Sequence, residues 1–164
     1  MAQDPNWARW IRASVAVWFQ NHITAVSASS YLYFEGQDRD TSKLHDWAEL
    51  RMMGPWMREQ SQNYWQFEIR LNLFIASGVD ATDLYKQQRL QGLYLPIFGN
   101  TIPVFRLGTG EFDDQSLVEC LQLSPKDQIQ VLNFGIVNTT DHVTRMEQSA
   151  IQAKYCMYFR IPLG

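Results

Sequence analysis

The sequence predicts an α+β domain, a mostly antiparallel mixed sheet flanked by an N-terminal helix and a second central helix. Three observations lead there. Apolar residues recur at helical spacing near the start of the chain and again near its middle, and they alternate with period two over most of what remains. The chain has 164 residues, of which 46% are apolar, enough for one domain that buries about 70% of its unfolded surface. No repeat, linker or low-complexity segment divides it, so a single domain is expected over residues 1–164.

Asp4 is placed to cap a helix with Pro5 in its first turn, and Trp7, Trp10, Ile11, Val15, Trp18 and Phe19 then mark one stripe. This predicts a helix over about residues 5–21, its tryptophans belonging to the core rather than to a ligand platform. From Thr24 the period becomes two, with Val26, Ala28, Ser30, Leu32 and Phe34 on one side, which reads as a strand following directly. Ala48, Leu50 and Met52 alternate with Trp47, Glu49 and Arg51 in a second strand, and Gly54-Pro55 reads as the turn that ends it.

The longest alternation runs from Trp65 to Ile75, a long strand with one buried face. Asp80 or Thr82 then caps a helix over residues 82–94 whose apolar side holds Leu90, Leu93 and Tyr94. Four more strands are expected over residues 102–105, 116–123, 128–137 and 152–161. Pro103 lacks an N–H and places the first of these at a sheet edge.

Composition narrows the functional classes. Charged residues make up 19% of the chain and aromatics 13%, with 15 glutamines, so the sequence is that of a folded domain rather than a disordered one. Fourteen basic against seventeen acidic residues give a formal charge of −3, and the basic residues alternate with apolar ones along strands, so no phosphate-tracking stripe is present. No apolar run reaches the ~18 residues of a membrane helix, and a basic-then-apolar leader is missing, so no membrane contact and an intracellular product are expected. Cys120 and Cys156 each sit in an apolar run and are expected as reduced, packed thiols rather than a disulfide.

No catalytic motif stands out. There is no GxGxxG, Walker loop, GxSxG, HExxH or zinc-spaced Cys/His set. His22, His45 and His142 fall in separate segments; His45-Asp46 reads as a solvated pair, and Cys156 has no histidine positioned beside it. Glu111, Asp113 and Asp114 form an acidic cluster after Gly108-Thr109-Gly110, without the spacing of an EF-hand, and read as a solvated loop. A second acidic stretch, residues 35–49, holds five acidic and two basic residues. We therefore expect no enzyme, cofactor or metal.

Several local strings, taken in order, resemble the tail terminator (tail-completion) proteins of long-tailed bacteriophages. An N-terminal helix leads to Tyr33-Phe34-Glu35-Gly36-Gln37, then to Arg51-Met52-Met53-Gly54-Pro55-Trp56, then to the long strand from Tyr64 to Ile75. The helix opening at Asp80-Ala81-Thr82-Asp83 follows, and a closing pair, Val131-Leu132-Asn133-Phe134-Gly135-Ile136 and Met146-Glu147-Gln148-Ser149-Ala150-Ile151-Gln152-Ala153-Lys154-Tyr155, looks like the family's final hairpin. The resemblance covers most of the chain, except residues 92–100, which do not align with it.

The resemblance implies a mixed sheet flanked by helices and a structural role. The chain would form a homo-oligomeric ring, a hexamer, that caps the tail tube, stops its polymerisation and meets the head-completion or neck protein. It would be assembled in the host cytoplasm and end in the virion, with DNA only passing through the lumen. A low-charge surface rich in glutamine and aromatics is also what a subunit with several protein contacts requires. The expected contact regions are residues 36–45 and 54–62, with Arg39, Lys43, Trp56 and Arg58 as named candidates. Glu111, Asp113 and Asp114 are expected on a lumen-facing loop, where they would repel the DNA backbone. The alternatives are another neck, connector or tail tube subunit, or a small-molecule-binding α+β domain in which His45 or His142 meets carboxylates in a deep cavity.

Overall fold

A computed structural model describes residues 7–26, 32–35, 46–57, 64–76, 82–99, 101–108, 114–124, 129–137 and 146–158. Helix α1 (Trp7–Val26) opens the fold, followed by strands β1 (Leu32–Phe34), β2 (Asp46–Met57) and β3 (Tyr64–Ala76). Helix α2 (Thr82–Tyr94) and a 3₁₀ turn (Leu95–Ile97) lead to β4 (Thr101–Phe105), β5 (Leu117–Leu123), β6 (Gln130–Val137) and β7 (Met146–Tyr158). The seven strands form one sheet in the order β1-β2-β3-β7-β5-β4, with β6 also paired to β7. Only β1 and β2 run parallel among the described pairs. The architecture is the expected α+β one with its N-terminal and central helices.

Period-two alternation sends one set of strand residues to the core. Leu50 and Met52 of β2, Phe67, Ile69, Leu71 and Leu73 of β3, and Ile151, Tyr155 and Met157 of β7 are all buried on this face. Trp10, Ile11, Val15, Phe19 and Ile23 of α1 pack on it, as do Tyr94, Ile97 and Phe98 after α2. Phe19 meets Phe98 edge to face at 5.0 Å, a favoured geometry for two rings.

Polar anchors fix the helix on the sheet. Ser14, 3% exposed, accepts from the Phe105 N–H at 2.9 Å and donates to the Phe105 carbonyl at 3.3 Å. Trp18 Nε1 donates to the Ile97 carbonyl at 3.0 Å, and the Tyr155 hydroxyl donates to the Gly99 carbonyl at 2.9 Å.

Three sequence expectations change. Helix α1 continues to Val26 because Ile23, 1% exposed, extends the Val15–Phe19 row by one more turn; helical burial overrides the local alternation from Thr24. The described part of the first strand is Leu32–Phe34, and the rest of the expected alternation, residues 27–31, lies outside the described residues. Gly54-Pro55 does not end β2: the register against β3 shifts between Met53 and Trp56, and Gly54 takes φ 104°, so the strand passes through a bulge. Strand β7 begins at Met146, six residues earlier than the alternation suggests, because it pairs along its length with β3 from Ala76 back to Tyr64. Strand β4 closes one end of the strand order, the edge position that Pro103 implies.

Candidate interaction surfaces

Two surfaces combine exposure with a defined chemistry, and α1 lies between them. The first is a groove of about 530 Å³ where α1 passes over β1 and β2. Its floor is apolar, formed by Val15, Phe34, Leu50 and Met52, with the small residues Ala8, Ala13 and Ala16 of α1 leaving it open. Arg9 and Arg12, both exposed, stand on its rim. Arg12 pairs with Glu35 at 2.5 Å, and Glu35 is held in turn by its backbone N–H donating to the Leu50 carbonyl at 3.1 Å.

The second surface is the stem joining β4 and β5 on the other side of α1. Phe105 and Leu117 face each other across the two strands, 36% and 54% exposed. Beyond them the stem is closed by Arg106 N–H donating to the Ser116 carbonyl at 2.9 Å and Gln115 N–H donating to the Arg106 carbonyl at 3.0 Å. Gln115 adopts φ 64°, a left-handed conformation that costs a non-glycine residue about 1 kcal/mol or more. Asp114 accepts from the Ser116 hydroxyl at 2.5 Å and the Ser116 N–H at 3.1 Å. These bonds, chiefly the hydroxyl, hold its carboxyl below the ordinary carboxylate value, and Arg106 at 3.9 Å acts in the same direction. Arg106 also lies over the Trp10 ring at 5.7 Å, and Arg9 donates to the Leu107 carbonyl at 2.7 Å, so the stem is tied to α1.

On the sheet face turned away from α1, polar networks run between the stacked Trp47–Phe74 pair and the Tyr64–Tyr158 pair. Across β2 and β3, Glu49, 4% exposed, accepts from Arg51 Nε at 2.5 Å and from Asn72 Nδ2 at 3.4 Å. The Glu49 carboxylate raises the Arg51 value, through the hydrogen bond first and its charge second. Across β3, β7 and β6, Arg70 donates twice to Gln152 Oε1, at 3.0 and 2.7 Å, and Gln152 donates to Gln130 at 2.9 Å. At one end of this face a cavity of about 410 Å³ is lined by Tyr64, Cys120, Gln122, Ser124, Cys156 and Tyr158, among others. The Ser124 hydroxyl is buried there without a partner among the described residues.

The named candidates fare differently. Arg39, Lys43, Arg58, Glu111 and Asp113 lie outside the described residues, as do His45 and His142. Asp114 is exposed at the root of the acidic loop. Trp56 belongs to β2, opposite Gln66, and not to a turn at a loop tip; its side chain is outside the described part. His22 is a packing residue of α1: its Nδ1 lies 2.7 Å from the Trp18 carbonyl and its ring 4.0 Å from the indole. Both thiols are free, Cys156 buried and Cys120 half-buried. No three His, Cys, Asp or Glu side chains gather as a metal site among the described residues, and no described helix is long and apolar enough to cross a membrane.

The groove was missed by sequence reading. Ala8, Ala13 and Ala16 fit a helical pattern without comment, and only the placement of Phe34 and Glu35 beside them turns that flank into a concavity. No family model matches the chain, and no curated protein matches it. Solved structures share its fold: one aligns with a TM-score of 0.55 over 94% of this chain and 98% of its own, at 10% identity. That likeness concerns the arrangement of helices and strands alone.

Proposed function

We propose that this chain is a structural subunit of a bacteriophage tail. It closes into a homohexameric ring on the end of the tail tube, stops tube polymerisation, and presents a surface to the head-completion or neck protein. The ordered strings from Tyr33 to Tyr155 supply the family reading. One physical observation carries the ring: apolar surface is left outside the core at non-equivalent places, the α1–β1–β2 groove on one side of α1 and the Phe105–Leu117 stem on the other. Contacts between unlike surfaces of identical subunits are heterologous, and they generate rings when the rotation closes. Val131 and Phe134 of β6, 40% and 46% exposed, leave a further apolar site for the tube or the neck protein. On this reading the chain has no substrate and no cofactor, DNA being only a passenger of the lumen, and its final place is the virion.

The test is to add the purified protein to isolated tail tubes and image the ends by negative stain. Rings seated on tube ends, with further tube growth stopped, are the expected result. Incorporation along the tube would assign the chain to the tube itself, and binding to the neck without any effect on tube growth would assign it to another connector.

A further inference from the structure

We infer that Cys120 and Cys156 form a two-thiolate site for one soft monovalent cation, Cu(I), that clips β5 to β7. The inference stands apart from the tail reading, and the ion takes part in no reaction. Both thiols are free, and both line the cavity of about 410 Å³. Gln122 of β5 lies opposite Cys156 of β7. Cys120, two residues earlier on β5, is therefore the diagonal neighbour of Cys156 on the same face. Their alternating neighbours Leu121, Tyr155 and Met157 are buried in the core, so the thiols point to the face turned away from α1. Diagonal neighbours are about 7–8 Å apart, at or beyond the roughly 7 Å limit between Cα atoms for a disulfide. A linear bridge with sulfur–metal bonds of about 2.3 Å separates two sulfurs by about 4.6 Å, against about 2.0 Å in a disulfide, and spans the diagonal.

Ligand type and number select the ion. Thiolate sulfur favours Cu(I), zinc and iron–sulfur clusters. Zinc and the clusters take four ligands, whereas two thiolates complete the linear coordination of Cu(I). No third His, Cys, Asp or Glu gathers with the pair among the described residues. Glu119 also lines the cavity, but its carboxylate is turned back to accept from the Cys120 N–H at 3.0 Å. A second observation points to an anionic sulfur here. Ser124, which lines the same cavity, is 3% exposed, and its hydroxyl has no partner, an uncommon state for a buried donor. Its N–H donates to the Lys154 carbonyl at 2.9 Å, which sets Ser124 on the other diagonal of Cys156. A neutral thiol is a weak acceptor and a metal-bound thiolate a charged one, so binding of the ion gives this hydroxyl its bond. The clip acts where the sheet is weakly joined. The described register connects β5 to β7 only at Gln122–Cys156 and Leu123–Tyr155, whereas β3 pairs with β7 from end to end. Binding exchanges two S–H protons for one cation, leaving a bis-thiolate complex of charge −1 with no electron transferred.

Titration with Cu(I) under argon, followed by the ultraviolet sulfur-to-metal absorption, tests the site. The expected result is an endpoint at one equivalent, an unchanged mass by light scattering, and a raised melting temperature. Cys120→Ser leaves Cys156 alone and turns a chelate into a single contact, so affinity should fall about 100-fold or more, and the rise in melting temperature should vanish. Cys156→Ser should do the same. Melting curves without metal check folding, and Cys120→Ser, at the half-buried position, keeps the test decisive if the other variant does not fold. Ser124→Ala removes the hydroxyl but neither ligand and should weaken binding about 10-fold. An endpoint at two equivalents, undiminished affinity in a folded cysteine variant, or an ion that joins two chains instead of two strands would overturn the site. Binding without a rise in melting temperature would overturn the clip, since the unfolded chain would then hold the ion equally well.

Discussion

Replacing Tyr155 by Phe removes one oxygen atom from the centre of the fold and should have an effect that depends on pH. Tyr155 is fully buried on β7, and its hydroxyl donates to the Gly99 carbonyl between the 3₁₀ turn and β4. Losing the bond and leaving a carbonyl without its donor costs about 2 kcal/mol near neutrality, which for a chain of this length lowers the melting temperature by about 4–8 °C. Burial also pushes the Tyr155 hydroxyl well above its ordinary value. Because the folded-state value is the raised one, the hydroxyl's contribution is fully present below the unfolded value of about 10 and is lost as pH rises through the range between the two. The unfolded chain releases the proton first, so the unmodified protein loses about 1.4 kcal/mol per pH unit above pH 10 through this group alone. The Phe variant has no such group. The stability gap of about 2 kcal/mol should therefore shrink above pH 10 and vanish near about pH 11.5. Urea unfolding of both proteins at pH 8, 10, 11 and 11.5 measures this, and contributions from other tyrosines cancel in the difference. A gap that stays constant across that range, or no gap at pH 8, would refute the argument.

Other perturbations follow from the same contacts. Arg51→Met leaves the carboxylate of Glu49, 4% exposed, without its charged donor and should cost about 2 kcal/mol in urea unfolding; adding Glu49→Met should recover most of it, since a buried carboxylate that is gone needs no partner. Ser14→Ala removes both bonds to Phe105 and should cost about 1–3 kcal/mol, with faster amide exchange at Phe105 as the local signature. Phe19→Ala empties a fully buried site beside Phe98 and should cost about 3–5 kcal/mol. Asp114 should titrate below the ordinary carboxylate range by carbon-detected NMR; its folded-state value is the depressed one, so the Ser116 bonds hold at neutral pH and are lost as pH falls through that value. Ser116→Ala should return the Asp114 carboxyl towards its ordinary value.

Much of the fold was legible because burial on this sheet follows strict alternation. Trp65 to Ile75 reads as a strand from the sequence, and β3 has Phe67, Ile69, Leu71, Leu73 and Ile75 buried to a residue. The α1 stripe and the Pro103 edge were legible for equally local reasons, helical spacing and a missing N–H. The failures come where a tertiary partner decides. Thr24 to Val26 fit the alternation that follows them, yet Ile23 docking on the core carries α1 through them. Gly54-Pro55 carries a turn signature, yet continued pairing with β3 absorbs it as a bulge that a glycine at φ 104° permits. The start of β7 was obscured because Glu147, Gln148 and Ser149 are polar while their strand is flanked by both β3 and β6. The groove was illegible altogether, since a concavity belongs to the spacing between elements and leaves no mark on any one of them. Basic and acidic residues were visible as charges; their placement, Arg9 and Arg12 beside an apolar floor and Asp114 beside the Phe105–Leu117 stem, is a property of the folded chain.

The central claim is that copies of this chain associate head to tail into a closed ring that caps a tube. Light scattering across a concentration series, with and without isolated tail tubes and followed by negative-stain imaging, tests it most directly. The account predicts a single ring species, a hexamer, either free in solution or formed at tube ends, with tube growth stopped. A chain that remains monomeric at all concentrations and leaves tube growth unchanged would contradict it.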